Sequence, residues 1–557
     1  MNRTCVKGAL AAVAVAGCAL ASPWAGAAMP GCSLAALPAI SGVTYKSATD
    51  NAATATAPEY CRVIGNVASP AGNPNGDGFA VDLPASWNGR FLMGGGGGFT
   101  GSLNGPNITA LSAGFAVSTT DTGHTGGVAS FALTAPGVPA TGAIIDYFYL
   151  AMHTVTAMSK QLIKDFYGTA DIKYSYFQGC STGGRQALME AERYPDDFDG
   201  IIAGDAFMTH RLVLQQYKGE FDLLQPPAAY ITPAQLTTID AAVYANCDAK
   251  DGVKDNLIQN PQACSFKPSQ LLCKGSSVPP ACLTAAQVDA LSDYIAPIKR
   301  GKELVIAGYP ISDLGGSDGM ALWFLGSTPT NFAGPEPWAS APFSWGFADQ
   351  TLKDFVYVDP GYNIFNFDLN TEGQIGAAAL ALYDQKTEAG NADSAKAVNA
   401  YLAKGKKLLI YHGFSDGGLT PYPMIRFYKG LADEKGGYEN LQRGARLFLV
   451  PGMHHCGGGP GPNVFDTLTP LQAWVEKGTP PDGIIASHTN ATTKAIDRTM
   501  PLCKFPEKAK YSGSGDVNLA ANWSCPSDDR SLLKIGPNGF QAGLGGQDDD
   551  EGEGGDD

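Results

Sequence analysis

The stretch Gly179-Cys180-Ser181-Thr182-Gly183-Gly184 constrains this chain more than any other. It follows a short aromatic, β-prone run, Tyr174-Ser175-Tyr176-Phe177, and precedes a helix-forming run from Arg185 to Tyr194. Strand, tight turn and helix around G-x-S-x-G form a turn in which the serine takes a strained backbone and its hydroxyl stands above the sheet edge. The flanking glycines let neighbouring chain pass close by. A serine hydroxyl is a weak nucleophile at neutral pH, so such a chain must also supply a histidine and an acid to orient it.

The segments around this turn alternate between strand and helix patterns. Arg90-Phe91-Leu92-Met93 reads as a buried strand running into five glycines, Gly94 to Gly98, and a second strand ends in Asp121-Thr122-Gly123-His124. Ile145, Phe148, Met152, Val155, Met158 and Leu162 recur with the helical period. Gly200-Ile201-Ile202-Ala203-Gly204 is the next strand, and this alternation predicts a parallel sheet covered on both faces. The pattern stops from about Phe207 to Ala403, resumes at Lys407-Leu408-Leu409-Ile410-Tyr411 and Ala445-Arg446-Leu447-Phe448-Leu449-Val450, and closes with a helical run over 465–477. A chain of 557 residues exceeds what one core supports. Residues 28–206 and 404–546 therefore read as one α/β domain, with 207–403 inserted as a lid over the carboxyl end of the sheet, where such folds bind ligands.

The first 27 residues read as a secretory signal peptide: Arg3 and Lys7, an apolar run from Ala9 to Leu20, then the small-residue cleavage site Ala25-Gly26-Ala27. Val15-Ala16-Gly17-Cys18 also reads as a lipoprotein box, but the apolar run before Cys18 is short and a peptidase site follows. No later run reaches the ~18 apolar residues of a spanning helix. Formal net charge is -15, of which the last eleven residues, 547–557, hold seven acidic side chains and no basic one. That leaves a mildly acidic body with a solvated tail and nothing to attract nucleic acid. Of twelve cysteines, two fall in the leader, and ten in an exported chain make five disulfides. Short spacings suggest Cys247 with Cys264, Cys273 with Cys282, and Cys503 with Cys525, leaving Cys32, Cys61, Cys180 and Cys456.

Each resumed strand ends in a candidate partner for Ser181. Tyr411 leads into His412-Gly413-Phe414-Ser415-Asp416, and Val450 leads into Pro451-Gly452-Met453-His454-His455-Cys456. The order Ser, Asp, His is the chain order of α/β-hydrolases, which predicts that fold with a large inserted lid. In that fold the glycine run brings a backbone N–H to the oxyanion. His454 and His455 compete as base. Cys180 precedes the serine and Cys456 follows His455, so a disulfide between them would set residues 181 and 455 side by side. On that ground His455 is the expected base and His454 a loop residue lining the site. His124 and His412 are expected to make structural hydrogen bonds.

Gly179-Cys180-Ser181-Thr182-Gly183-Gly184-Arg185, His412-Gly413-x-x-Asp416 and Pro451-Gly452-Met453-x-His455-Cys456-Gly457-Gly458-Gly459 together resemble the tannase and feruloyl esterase family. The resemblance covers nearly the whole mature chain, including Asp121-Thr122-Gly123-His124. It implies Ser181 as nucleophile, Asp416 as orienter and His455 as base. It also implies a Cys180–Cys456 disulfide, oxyanion donors from the Thr182 N–H and from Gly97 or Gly98, and a Cys32–Cys61 pair.

Between Cys247 and Cys264 three carboxylates alternate with turn residues, a set that repels itself unless a cation neutralises it, and oxygen ligands select calcium. The residues alone read rather as a solvated acidic turn, and the spacing is not that of an EF-hand. The resemblance implies a structural Ca2+ held by the Asp248, Asp251 and Asp255 side chains and the Val253 and Leu257 carbonyls. A disulfide around a loop this size contributes roughly 3 kcal/mol in the chain-entropy model. Further on, Trp323, Phe324, Phe332, Trp338, Phe343, Trp345, Phe347, Phe355 and Tyr357 are expected mostly to pack the lid, a minority facing the serine to stack on a planar acyl group.

The resemblance implies a secreted or periplasmic serine esterase that acts on small or plant-polymer-linked esters of aromatic acids through an acyl-enzyme. Feruloyl or other hydroxycinnamoyl esters come first. Galloyl esters and monoesters of an aromatic diacid are alternatives, and a non-catalytic binder of phenolics or polysaccharide is the reading from a different class. Family members that bind a terephthalate carboxylate use a lid arginine, and residues 337–355 hold none, only Lys353, which disfavours the diacid.

Overall fold

The computed structural model describes residues 29–99, 101–224, 227–332 and 340–533. The signal peptide, Cys18, Trp338 and the acidic tail lie outside them. Nine strands form one sheet: β1 (Val43–Asn51), β2 (Tyr60–Val67), β3 (Asp77–Pro84), β4 (Arg90–Gly94), β5 (Ala116–Thr120), β6 (Tyr174–Cys180), β7 (Gly200–Gly204), β8 (Lys407–Gly413) and β9 (Ala445–Val450). Their order is β1-β2-β3-β5-β4-β6-β7-β8-β9. From β5 to β9 every pairing is parallel. β1, β2 and β3 pair antiparallel, and β3 joins β5 antiparallel. The sheet is thus mixed, where the sequence predicts a parallel one. The added strands lie upstream of Arg90, and β2 alternates buried with half-buried residues, the mark of a sheet with one wetter face.

The central strand β7 is wholly buried, as a run of Gly, Ile and Ala must be when helices cover both faces. Helix α1 (Ala151–Tyr167) buries Met152, Val155, Met158 and Leu162, the predicted stripe. Before it, a π-helical turn at Asp146–Leu150 lets consecutive residues Asp146, Tyr147 and Phe148 all point inward. Helix α2 (Thr182–Arg193) starts directly after Ser181.

The inserted segment carries α3 (Arg211–Leu224), α4 (Pro233–Cys247), α5 (Ala285–Ile295), α6 (Phe343–Gln350) and α7 (Ala377–Thr387). Capping boxes Thr232/Gln235 and Thr284/Gln287 start α4 and α5. Two apolar clusters give the lid its own core. Helix α8 (Ala395–Ala403) sends Val398, Tyr401 and Leu402 into the core beneath the sheet, so the chain rejoins that core before residue 404. Five disulfides are formed: Cys32–Cys61, Cys180–Cys456, Cys247–Cys264, Cys273–Cys282 and Cys503–Cys525. Among the described residues no helix is long and apolar enough to cross a membrane.

Candidate active site

Ser181 sits at the end of β6 with φ +64° and ψ -124°, a conformation an L-residue adopts only under constraint. Its N–H donates to Gly204 O at 3.0 Å, and its carbonyl accepts from the Arg185 and Phe207 N–H groups, so strand, helix and lid entrance all fix the turn. A Cβ at Gly179 would lie 2.4 Å from Gly183 O, and one at Gly183 would lie 2.9 Å from Gly96 O. Both glycines are therefore obligatory for the backbone approach that exposes the hydroxyl.

The three residues singled out from the sequence converge. His455 Nδ1 donates to Asp416 Oδ2 at 2.8 Å. Asp416 Oδ1 accepts from the Gly418 and Leu419 N–H groups at 2.7 and 2.8 Å, which orients the carboxylate. Ser181 and His455 line one pocket, and the Cys180–Cys456 disulfide, with Cα atoms 6.0 Å apart, joins their chain neighbours. Among the described residues no hydrogen bond yet joins Ser181 Oγ to His455 Nε2, and such bonds often tighten only with substrate in place. Burial acts to raise the Asp416 carboxyl, but the charges and hydrogen bonds of His455 and His412 hold it well below the usual carboxylate range. Burial acts to lower the His455 imidazole, and Asp416, reinforced by Asp205, raises it above its ordinary value.

Two members of this network were not read from the sequence. Asp205 follows β7 as Asp416 follows β8; it is fully buried and accepts from the Gly413 N–H at 2.7 Å. Its Oδ2 lies 3.5 Å from the Cys180 sulfur, a contact and not a hydrogen bond because a disulfide has no proton to donate. Burial and the Asp416 charge push the Asp205 carboxyl up to about 7, against the pull of His412. An acid directly after a strand was the available signal. Arg185 is the second. Its fully buried guanidinium donates to Phe148 O at 2.8 Å and to Gly390 O and Tyr147 O at 3.2 Å, and stacks over the Tyr147 ring. It thereby ties α2 to the π-helical turn.

His412 donates from Nε2 to Leu419 O at 2.9 Å and lies 3.5 Å from Asp416 Oδ2, and His124 Nε2 bonds Phe99 O, both structural as expected. His454 departs from expectation. It does not line the pocket, because its Nε2 bonds Asp313 O at 2.8 Å and its Nδ1 lies 3.2 Å from Asp318, which hold the ring within the lid.

The pocket is walled by Phe99, Tyr147, Phe207, Trp323 and Phe347, with Gly98, Thr182, His210, Val213, Gln216, Thr351 and Leu419. Among the described lid aromatics Trp323 and Phe347 face Ser181, while Phe324 and Trp345 pack lid cores. Trp323 also meets the His455 ring edge-on at 4.9 Å. Gly98, not Gly97, lines the pocket, and its carbonyl accepts from Thr182 Oγ1 and the Tyr147 hydroxyl at 3.1 and 3.0 Å. Thr182 opens α2, where helix N–H groups have no internal partner.

In the loop closed by Cys247–Cys264, Asp248 accepts from the Asp255 and Asn256 N–H groups, and Asp251 from those of Val253 and Gln259. Burial pushes Asp251 up to about 6 and raises Asp255, where Arg498 partly offsets the rise and the Asp248 charge adds to it. The three acids share one short turn, with Arg498 Nη1 3.6 Å from Asp255 Oδ2 and Lys508 Nζ donating to Asp251 O at 3.0 Å.

A mixed sheet with a serine turn, an acid after β8 and a histidine after β9 defines an α/β-hydrolase with an inserted lid. The family model described as tannase and feruloyl esterase matches residues 61–526, and the chain belongs to that family. It is 33% identical to mono(2-hydroxyethyl) terephthalate hydrolase of Piscinibacter sakaiensis over 86% of this chain and 87% of that one. It is 28% identical to feruloyl esterase B of Aspergillus niger over 80% and 82%. The crystal structure of feruloyl esterase B from Aspergillus oryzae superposes with a TM-score of 0.76 at 23% identity, covering 89% of this chain and all of that one, which shows the shared fold.

Proposed function

We propose that this protein is a serine esterase that hydrolyses esters of aromatic acids, hydroxycinnamoyl esters first. Ser181 Oγ attacks the ester carbonyl while His455 Nε2 takes its proton. Asp416 stabilises the imidazolium, and the N–H groups of Thr182 and Gly98 receive the oxyanion. The C–O bond to the alcohol breaks as His455 returns the proton to the leaving oxygen. Water, deprotonated by His455, then frees the acid from Ser181. The observation that carries this reading is the disulfide that puts the His455–Asp416 pair beside Ser181 under an aromatic-walled pocket. Steady-state hydrolysis of methyl ferulate, methyl gallate and a terephthalate monoester tests it. Turnover of none of the three would sink it.

The 33% identity to a terephthalate monoester hydrolase favours a diacid monoester as the second reading. The residues lining the pocket include no lysine or arginine to meet a second carboxylate, which keeps it second. Five disulfides support export to an oxidising compartment, secreted or periplasmic, where plant-polymer-linked phenolic esters are accessible substrates. The Asp248, Asp251 and Asp255 carboxylates with the Val253 and Leu257 carbonyls would hold a structural Ca2+, which neutralises the loop and fixes the lid's shape.

A further inference from the structure

His210, directly before helix α3, and Val213 and Gln216 on its first turns line the pocket at three-residue intervals. Two of these side chains bring acceptors with no partner. Gln216 donates its Nε2 to Gly418 O at 2.9 Å; since a carbonyl only accepts, the amide cannot be flipped, and its buried Oε1 has no hydrogen bond among the described residues. Asn391 Oδ1 accepts the His210 backbone N–H at 2.8 Å, so it is an oxygen, and the His210 Nδ1 at 3.0 Å from it must carry the ring proton. That leaves a lone pair on His210 Nε2, which no described residue engages. The ring is kept neutral: burial, reinforced by the Arg185 charge, lowers it to about 3. A wall made of aromatic rings thus carries acceptors that lack donors.

We propose that His210 Nε2 and Gln216 Oε1 read hydroxyls on the aromatic ring of the acyl group, each accepting the proton of one hydroxyl in a hydrogen bond. This rests on the esterase reading above and names which rings the site selects. Ring hydroxyls supply donors to the buried Gln216 Oε1 and to His210 Nε2, whereas an unsubstituted ring leaves both unpaired. A ring carboxylate sets acceptor against acceptor. Sites that hydrogen-bond a substrate hydroxyl reject the analogue lacking it far more strongly than apolar pockets reject a changed methylene.

The test compares kcat/KM for methyl 3,4-dihydroxycinnamate and methyl cinnamate, which share a carbon frame and reactive centre. Wild-type protein should prefer the hydroxylated ester at least about tenfold. His210→Phe and Gln216→Met should each bring that ratio toward one. In a Ser181→Ala background, calorimetric binding of 3,4-dihydroxycinnamate over cinnamate should show the same preference and the same loss. A wild-type ratio near one, or a ratio unchanged in both variants, overturns the inference while the esterase stands, with water serving the two acceptors. Hydrolysis of neither ester by the wild type overturns this inference, and the esterase reading falls with it only if methyl ferulate, methyl gallate and the terephthalate monoester are untouched as well.

Discussion

Cys180 and Cys456, 276 residues apart in sequence, are bonded to each other, and their chain neighbours are Ser181 and His455. A covalent bond between the nucleophile's strand and the base's loop replaces what other serine hydrolases leave to packing alone. Catalysis depends on such placement because a displacement of about 1 Å costs roughly a hundredfold in rate.

A Cys180→Ala/Cys456→Ala variant should therefore lose about tenfold to a hundredfold in kcat, with KM less affected. Thermal unfolding should stay cooperative, since four other disulfides and the sheet remain. Wild-type turnover in the reduced or substituted protein would remove the positioning role.

The pH profile follows from His455. Catalysis needs its neutral form, and Asp416 raises the imidazole above its ordinary value, so kcat/KM should fall on the acid side with a midpoint displaced upward from about 6.5. Asp416→Asn should lower kcat by about a thousandfold or more and move that limb to lower pH. Stability runs the opposite way: with the folded value raised, the pair's contribution is complete below the unfolded imidazole value and is lost as pH rises through the folded one. Thermal melts of wild type and Asp416→Asn across pH 5 to 8 (about the imidazole range) check this.

Asp205 raises His455 through its charge and does not bond the ring. Asp205→Asn should shift the acid limb down by a fraction of a unit and keep kcat within about tenfold, unlike Asp416→Asn. Equal losses in the two variants would make Asp205 the orienting acid.

Chelation tests the cation loop. Removing Ca2+ with EGTA should lower the melting temperature by a few degrees, and millimolar Ca2+ should restore it, as binding at a hundredfold excess over Kd contributes about 2.7 kcal/mol. Asp251→Asn should melt low and be indifferent to Ca2+. A melting curve that EGTA does not move would leave the acidic turn without an ion.

What the sequence revealed and hid has a physical pattern. Ser181, Asp416 and His455 were legible because steric demand writes glycines around the serine turn, and because each partner follows a strongly apolar strand. The stripe of α1 was legible for the same reason, burial on one face. Strands β1 and β2 were not, since half-buried strands toward the sheet edge carry a diluted alternation, and β3, though wholly buried, interrupts its apolar run with Gly78 and Asp82. The lid helices hide among aromatics, although the T-x-x-Q caps of α4 and α5 were there to read. Asp205, Arg185, His210 and Gln216 act through partners 37 to 208 residues away, such as Phe148, Gly418 and Gly413, and a local pattern holds no trace of those.

Hydrolysis of methyl ferulate by Ser181→Ala tests the central claim most directly. The variant should fold with wild-type melting behaviour, keep all five disulfides and lose at least about a thousandfold in kcat. In the wild type, acid-quenched protein should carry a feruloyl mass on the peptide containing Ser181. A Ser181→Ala variant that turns over the ester at the wild-type rate, with no acyl mass on that peptide in the wild type, would contradict the assignment.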